Sequence, residues 1–349
     1  MTSLPLPPTA HEPRTSDSSS TGLGFIEREL IVVTGKGGVG KTVVAAALAA
    51  LAAARGRETL LIEMVPHPKA APLFGVAPQG YEPVEVRERL HLCRLTPEEC
   101  LEEIAVMRLK LRALYRLVFK NQAVAAVMGF MPGMNELLVL GKVVYMVNQG
   151  RHRAGHHRFD LVVLDGPPTG EALSMLQLPR TIRSAVKAGP LARDVGIMED
   201  LLTDPDRTAM AVVTAPEELP VNEALELTEG LRELDMLRSG ALFVNRVVPE
   251  FFDARTRDAL QRFRRAVRST RCERDPEILA QLDVHQHLTT RRDREQTEIR
   301  RLARSAGTPL VELPEIPTDT FGSAELDPLV RHLTRGLELT RTTRMKGHA

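Results

Sequence analysis

The stretch that decides the fold is Gly35-Lys36-Gly37-Gly38-Val39-Gly40-Lys41-Thr42, preceded by the apolar run Leu30-Ile31-Val32-Val33-Thr34 and followed by the alanine-rich run from Val43 to Ala54. It fits G-x-x-x-x-G-K-[ST] in the setting the motif requires, a strand entering and a helix leaving. Glycines let backbone N–H groups turn inward and approach phosphate without a Cβ in the way. The helix N-terminus adds positive potential. In this pattern Lys41 pairs with the β- and γ-phosphates and the Thr42 hydroxyl ligates Mg²⁺. Gly35 to Thr42, with Val43 opening the helix, therefore read as a site for ATP and Mg²⁺. A second lysine inside the loop, Lys36, is not needed to cradle phosphate within one chain.

Outward from the loop, short apolar runs alternate with helical patterns. Strands are expected at 30–34, 59–63, 90–95, 159–165, 210–214, 241–245 and 309–313, and helices at 41–55, 97–117, 171–176, 220–237 and 324–337. Several of the strand runs are almost continuously apolar, as strands covered on both faces should be. The alternation predicts an α/β fold, a mostly parallel sheet with helices on both faces. Two segments interrupt it, 98–150 and 181–204, and both read as parts of a small helical subdomain. Residues 1–24, rich in Pro, Ser and Thr, read as a disordered tail, 25–338 as the folded domain and 339–349 as a flexible basic tail.

The run Phe159-Asp160-Leu161-Val162-Val163-Leu164-Asp165 ends in a carboxylate. That end lies at the C-terminal edge of a parallel sheet, where Asp165 can hold Mg²⁺ through water. Gly166-Pro167-Pro168-Thr169-Gly170 follows, a loop suited to change conformation when the γ-phosphate leaves.

Composition narrows the function. The chain has 349 residues, 43% hydrophobic, with net charge +1, so no overall field points to nucleic acid or to a membrane. There is no Trp and aromatics make up 4%, which argues against stacking platforms for single-stranded nucleic acid. Residues 255–271 carry seven arginines against one acid, Asp258. Leu260, Phe263 and Val267 recur there at helical spacing, so the stretch reads as a solvated helix face rather than a nucleic-acid patch. His152, His156 and His157 sit among arginines and read as a solvated loop. The longest apolar run is too short to span a bilayer. Three cysteines, Cys93, Cys100 and Cys272, fit a reducing, cytoplasmic setting.

These motifs resemble the ArsA-like ATPases, which include the arsenite-pump ATPase and the ATPase that targets tail-anchored proteins, within the wider group of MinD, ParA and the nitrogenase iron protein. The GKGGVGKT loop is shared across that group. More specific are Asp165-Gly-Pro-Pro-Thr-Gly170 running to Leu178-Pro179, Pro132-Gly133-Met134-Asn135-Glu136, Val244-Asn245-Arg246, and Leu313-Pro314-Glu315 leading to Gly322. The resemblance implies a P-loop NTPase that works as a dimer with ATP at the interface, closing with ATP and opening after hydrolysis. Lys36 would then reach the phosphates of the facing subunit. Asn245 would hydrogen-bond adenine, Pro314 and Glu315 would cover the base, and Glu217 would contact nucleotide across the dimer. Lys36, Lys41 and Asp165 would be the catalytic groups.

The sequence also departs from the resemblance. Where the family's first switch reads Asp-Pro-Ala-His, this chain reads Val65-Pro66-His67-Pro68. Val65 cannot orient water, and Glu63, two residues earlier on the strand, is the nearest acid and the fourth candidate catalytic residue. The expectation is therefore an ATP-hydrolysing switch, homodimeric or paired with an ArsA-like homologue. The alternative is a silent nucleotide-binding subunit beside an active one. No C-x-x-C pair is present for interface zinc, and the cysteines do not match the metalloid-binding set. Met107, Met128, Met131 and Met134 could receive an apolar helical client, although Met at helical spacing reads first as core. A MinD- or ParA-like positioning role fits less well, because the C-terminus lacks an apolar face for stable membrane attachment.

Overall fold

The computed structural model describes residues 22–64, 68–109, 133–149, 159–236, 240–269 and 276–346. The sheet has eight strands: β1 Leu30–Gly35, β2 Thr59–Glu63, β3 Val84–Arg87, β4 Leu90–Arg94, β5 Leu161–Asp165, β6 Thr208–Thr214, β7 Ala241–Val247 and β8 Leu310–Pro314. Their order is β3-β4-β2-β5-β1-β6-β7-β8, and every pairing is parallel except β3 with β4. This is the expected α/β architecture with one antiparallel edge strand added.

The apolar strands alternate between two cores. Ile31, Val33, Leu61, Val163, Val213 and Phe243 face one side, while Leu30, Val32, Ile62, Val162, Val212 and Leu242 face the other. Successive side chains on a strand point to opposite faces, so burial on both sides requires an unbroken apolar run. The first core is closed by helix α1 (Lys41–Ala54) and helix α9 (Ser323–Lys346), with the 3-10 turn Gly22–Glu27 beside them. In α1 every residue from Val44 to Ala53 is buried. Alanine lets that helix lie close on the sheet, which holds the loop before it against the strand ends.

The second core is covered by α2 (Pro97–Leu109), α3 (Met134–Gln149), α4 (Thr169–Ala185), α5 (Pro190–Thr203), α6 (Glu218–Glu233) and α8 (Pro276–Ala306). The arginine-rich stretch forms α7 (Ala254–Ser269), whose described residues are exposed or half-buried. Helix α4 begins at Thr169, earlier than the expected 171–176, and runs through Pro179 to Ala185. Helix α9 carries on to Lys346 through residues the sequence assigned to a tail. The N-terminal tail up to residue 21, the switch residue Val65, the histidine cluster, Cys272 and the Met128–Met131 segment lie outside the described residues. No helix among the described residues is long and apolar enough to cross a membrane.

Candidate nucleotide site

β1 lies between β5 and β6, so the loop that leaves it emerges at the centre of the sheet's C-terminal edge. Gly35 closes the strand with φ 151°, and a Cβ there would stand 1.9 Å from the Val213 carbonyl oxygen. No other residue fits. Gly40 precedes α1 in the left-handed region, φ 95°, and its Cβ would stand 2.3 Å from Asn245 Nδ2. No side chain caps the start of α1 and its first turn holds no acid. The N–H groups of that turn are thus left for an anion. Lys36, Lys41, Thr42 and Val43 are half-buried around this cradle, Gly37 and Gly38 are exposed, and Val39 is buried. Burial lowers the Lys41 pKa, and its Nζ lies 3.4 Å from the Lys36 carbonyl oxygen, inside the loop.

Two carboxylates sit beneath the loop. β5 pairs with β2 so that Glu63 lies opposite Asp165, and with β1 so that Val33 does. Thr42 Oγ1 donates to Asp165 Oδ2 at 2.6 Å. Asp165 Oδ1 and Glu63 Oε2 are both buried without a hydrogen-bond partner. Glu63 Oε1 accepts the backbone N–H groups of Lys69 at 2.6 Å and Ala70 at 2.8 Å. Glu63 thus fixes the segment just past the switch residues as well as facing Asp165. Burial pushes the Asp165 carboxyl up to about 6, and the neighbouring Glu63 charge adds to the rise. Burial raises the Glu63 carboxyl too.

Buried carboxylate oxygens with no donor are costly unless a cation meets them. A threonine hydroxyl, a carboxylate and nearby phosphate oxygens are a hard oxygen donor set suited to Mg²⁺. Among the described residues no three His, Cys, Asp or Glu side chains cluster as a metal site. A cation here would therefore complete its shell from phosphate and water.

The Gly166–Gly170 loop is held from below. The Gly166 N–H donates to the Val33 carbonyl at 2.9 Å, and Thr34 Oγ1 donates to the Pro167 carbonyl at 3.0 Å. At its far end Thr169 Oγ1 donates to Glu223 Oε2 at 3.1 Å. The other oxygen of Glu223 accepts from Lys36 Nζ. Glu223 is on α6 and was not singled out by the sequence. Only the fold brings it to the loop.

β7 bulges at its end. Its register with β8 shifts between Val244 and Val247, and Arg246 takes φ 60°. A bulge re-aims a side chain, and here Asn245 turns into the P-loop, where Nδ2 donates to the Val39 carbonyl at 2.9 Å. Pro314 pairs with Val247, and the Glu315 N–H donates to the Val247 carbonyl at 2.8 Å. Asn245, Pro314 and Glu315 thus lie on the same sheet edge as the cradle. Glu217 is exposed and immediately precedes α6, lining a cleft of about 800 Å³ shared with Arg291, Arg294 and Glu295 of α8.

Cys93 and Cys100 are buried free thiols. Burial pushes Cys100 up to about 12 and Cys93 higher still.

A parallel sheet with a two-lysine phosphate loop at its centre, and an acid beside the loop's threonine, defines a nucleotide-binding protein of the P-loop ATPase class. The family model for the anion-transporting ATPases, ArsA, matches residues 28–198 and 190–274, and the chain belongs to that family. ATP binding and hydrolysis are general to it. The chain is 31% identical over 248 residues to ATPase BagA of Mycobacterium tuberculosis, covering 67% of this chain and 71% of that one. A protein of Chlorobaculum tepidum, named provisionally as an arsenical pump-driving ATPase, is 30% identical over 220 residues, 59% of this chain and 50% of its own. The arsenical pump-driving ATPase of Acidiphilium multivorum is 26% identical over 234 residues, 62% and 39% of the two chains.

Proposed function

We propose that the chain binds ATP·Mg²⁺ in the Gly35–Thr42 cradle and hydrolyses it as a dimeric switch, with nucleotide at the interface and hydrolysis coupled to a client or partner. The observation that carries this is the orphaned Asp165 Oδ1, buried beside the Thr42 hydroxyl under the loop. Thr42 and Asp165 would hold Mg²⁺, which would supply neutralisation of the charge that develops on the phosphates. Lys41 and the loop N–H groups stabilise the γ-phosphate as water attacks in line. Lys36 leaves Glu223 to serve the facing subunit. The Gly166–Gly170 loop, tied to Glu223 through Thr169, senses that departure. Asn245, Pro314 and Glu315 receive the base, and Glu217 meets nucleotide across the dimer.

The test measures nucleotide binding, phosphate release and mass in solution with ATP·Mg²⁺. Lys41→Ala should abolish binding. Lys36→Ala should spare binding but remove the ATP-dependent dimer. A wild type that turns over as a monomer, unchanged by Lys36→Ala, would refute the dimeric reading.

Val65 supports a second reading, a nucleotide-binding subunit without turnover of its own that pairs with an active homologue. Tight ATP binding without phosphate release, restored on adding that homologue, is its signature.

A further inference from the structure

Helix α8 grips both loops to which the base has been assigned. Glu295, buried among its neighbours, accepts the Val248 N–H through Oε2 at 2.8 Å, and Arg292 donates to the Val248 carbonyl. Arg291 Nε donates to Glu295 Oε1 at 2.8 Å, and Arg291 Nη1 lies 2.9 Å from Glu315 Oε2. The Glu315 N–H returns to the Val247 carbonyl at 2.8 Å. These contacts close a circuit: Val247, Glu315, Arg291, Glu295, Val248. It joins the bulge carrying Asn245 to the loop after β8. A planar guanidinium can hold two carboxylates at a fixed spacing, which a flexible ammonium cannot.

We propose that Arg291 is the positioning residue for the nucleotide base, setting the gap between the Asn245–Val248 turn and the Pro314–Glu315 loop and so the selectivity for adenine over guanine. This rests on the base lying between those two segments, as assigned above. Arg291 does not touch the phosphate loop in this arrangement, so its effect falls on the base and not on the phosphates. Nor does a single exposed ion pair explain the geometry: one of its two carboxylates is buried and holds the backbone N–H of Val248, the residue just past β7.

The experiment is calorimetric titration of the full chain with ADP, GDP and inorganic tripolyphosphate, each with Mg²⁺. Wild type should prefer ADP. Arg291→Ala should weaken ADP roughly tenfold, the loss of one charge-assisted contact, narrow the ADP/GDP ratio and leave tripolyphosphate binding unchanged. Arg291→Lys should recover part of the ADP affinity. Parallel weakening of all three ligands would assign Arg291 a merely structural part and overturn the proposal, as would an unchanged ADP/GDP ratio in Arg291→Ala. A wild type that binds tripolyphosphate yet does not distinguish ADP from GDP would instead overturn the placement of the base itself.

Discussion

Lys36 and Glu223 are paired within one chain: the Nζ of the loop's extra lysine is bound by a carboxylate of α6 that also accepts the hydroxyl of Thr169. Three elements meet there, the phosphate loop, the Gly166–Gly170 loop and α6. The lysine's hydrogen bond holds the Glu223 carboxyl below its ordinary range. For Lys36 to serve a facing subunit this pair must break. A partly solvated pair of this kind is worth about 0.2–1 kcal/mol. Glu223→Gln should therefore shift ATP-dependent dimerisation to lower protein concentration, by up to roughly fivefold for each pair that dimerisation breaks. Light scattering against protein concentration measures it. A shift the other way would mean that Glu223 aims Lys36 and does not restrain it.

Asp165 sets a pH dependence. Its carboxyl is raised from 3.8 to about 6, largely by burial. A raised acid binds more protons folded than unfolded, so stability is fullest below pH 3.8 and is lost as pH rises through 6. The loss amounts to roughly 2–3 kcal/mol for the nucleotide-free chain. Asp165→Asn should flatten that part of the denaturation profile and make the nucleotide-free chain more stable at pH 7. The same variant should lose the stabilisation that Mg²⁺·nucleotide gives the wild type. A profile unchanged between pH 4 and 7 would refute the assignment.

Gly40 and Asn245 should behave as a coupled pair. A methyl at Gly40 would meet the Asn245 amide at 2.3 Å and hold a left-handed φ of 95°. The conformation alone costs about 1–2 kcal/mol, and the collision adds to it. Gly40→Ala should lower the melting temperature and remove ATP binding. Adding Asn245→Ala should return part of the stability, because the collision goes while the backbone strain stays. Denaturant titration of the single and double variants yields the coupling. Strict additivity would show that the two do not meet.

Much of this was legible because it is written locally. Unbroken apolar runs such as Leu161–Leu164 announce strands covered on both faces, and Gly35–Thr42 carries its chemistry in adjacent residues. What was not legible arises between distant segments. β3 is an exposed four-residue edge strand, too short to show a period. Glu223 and Arg291 lie on helices whose local pattern marks no site. The mixed charges of 291–304 mark no site by their pattern, yet Glu295 among them is 4% exposed and holds the N–H of Val248, just past β7. Glu63, read as an acid near the γ-phosphate, also caps Lys69 and Ala70. Its second role depends on how the chain returns past the switch, which no spacing encodes.

The departure at Val65 gives the sharpest test of turnover. Catalysis of in-line attack needs a group that accepts a hydrogen bond from water near the γ-phosphate, and valine offers none. Glu63, two residues earlier in the chain, is an acid, but one of its oxygens is committed to two backbone N–H groups and the other is buried without a partner. That commitment leaves Glu63 poorly placed to take over the role. Val65→Asp should raise phosphate release by the isolated chain by about 10²-fold or more, the range of one positioned general base, while ATP affinity changes little. Glu63→Gln should slow whatever turnover the wild type has if that acid substitutes for the missing one, and leave it unchanged otherwise. Single-turnover phosphate release with ATP bound to every site measures both. If Val65→Asp gains nothing while the wild type already turns over, the water is oriented by another residue, and the silent-subunit reading falls with it.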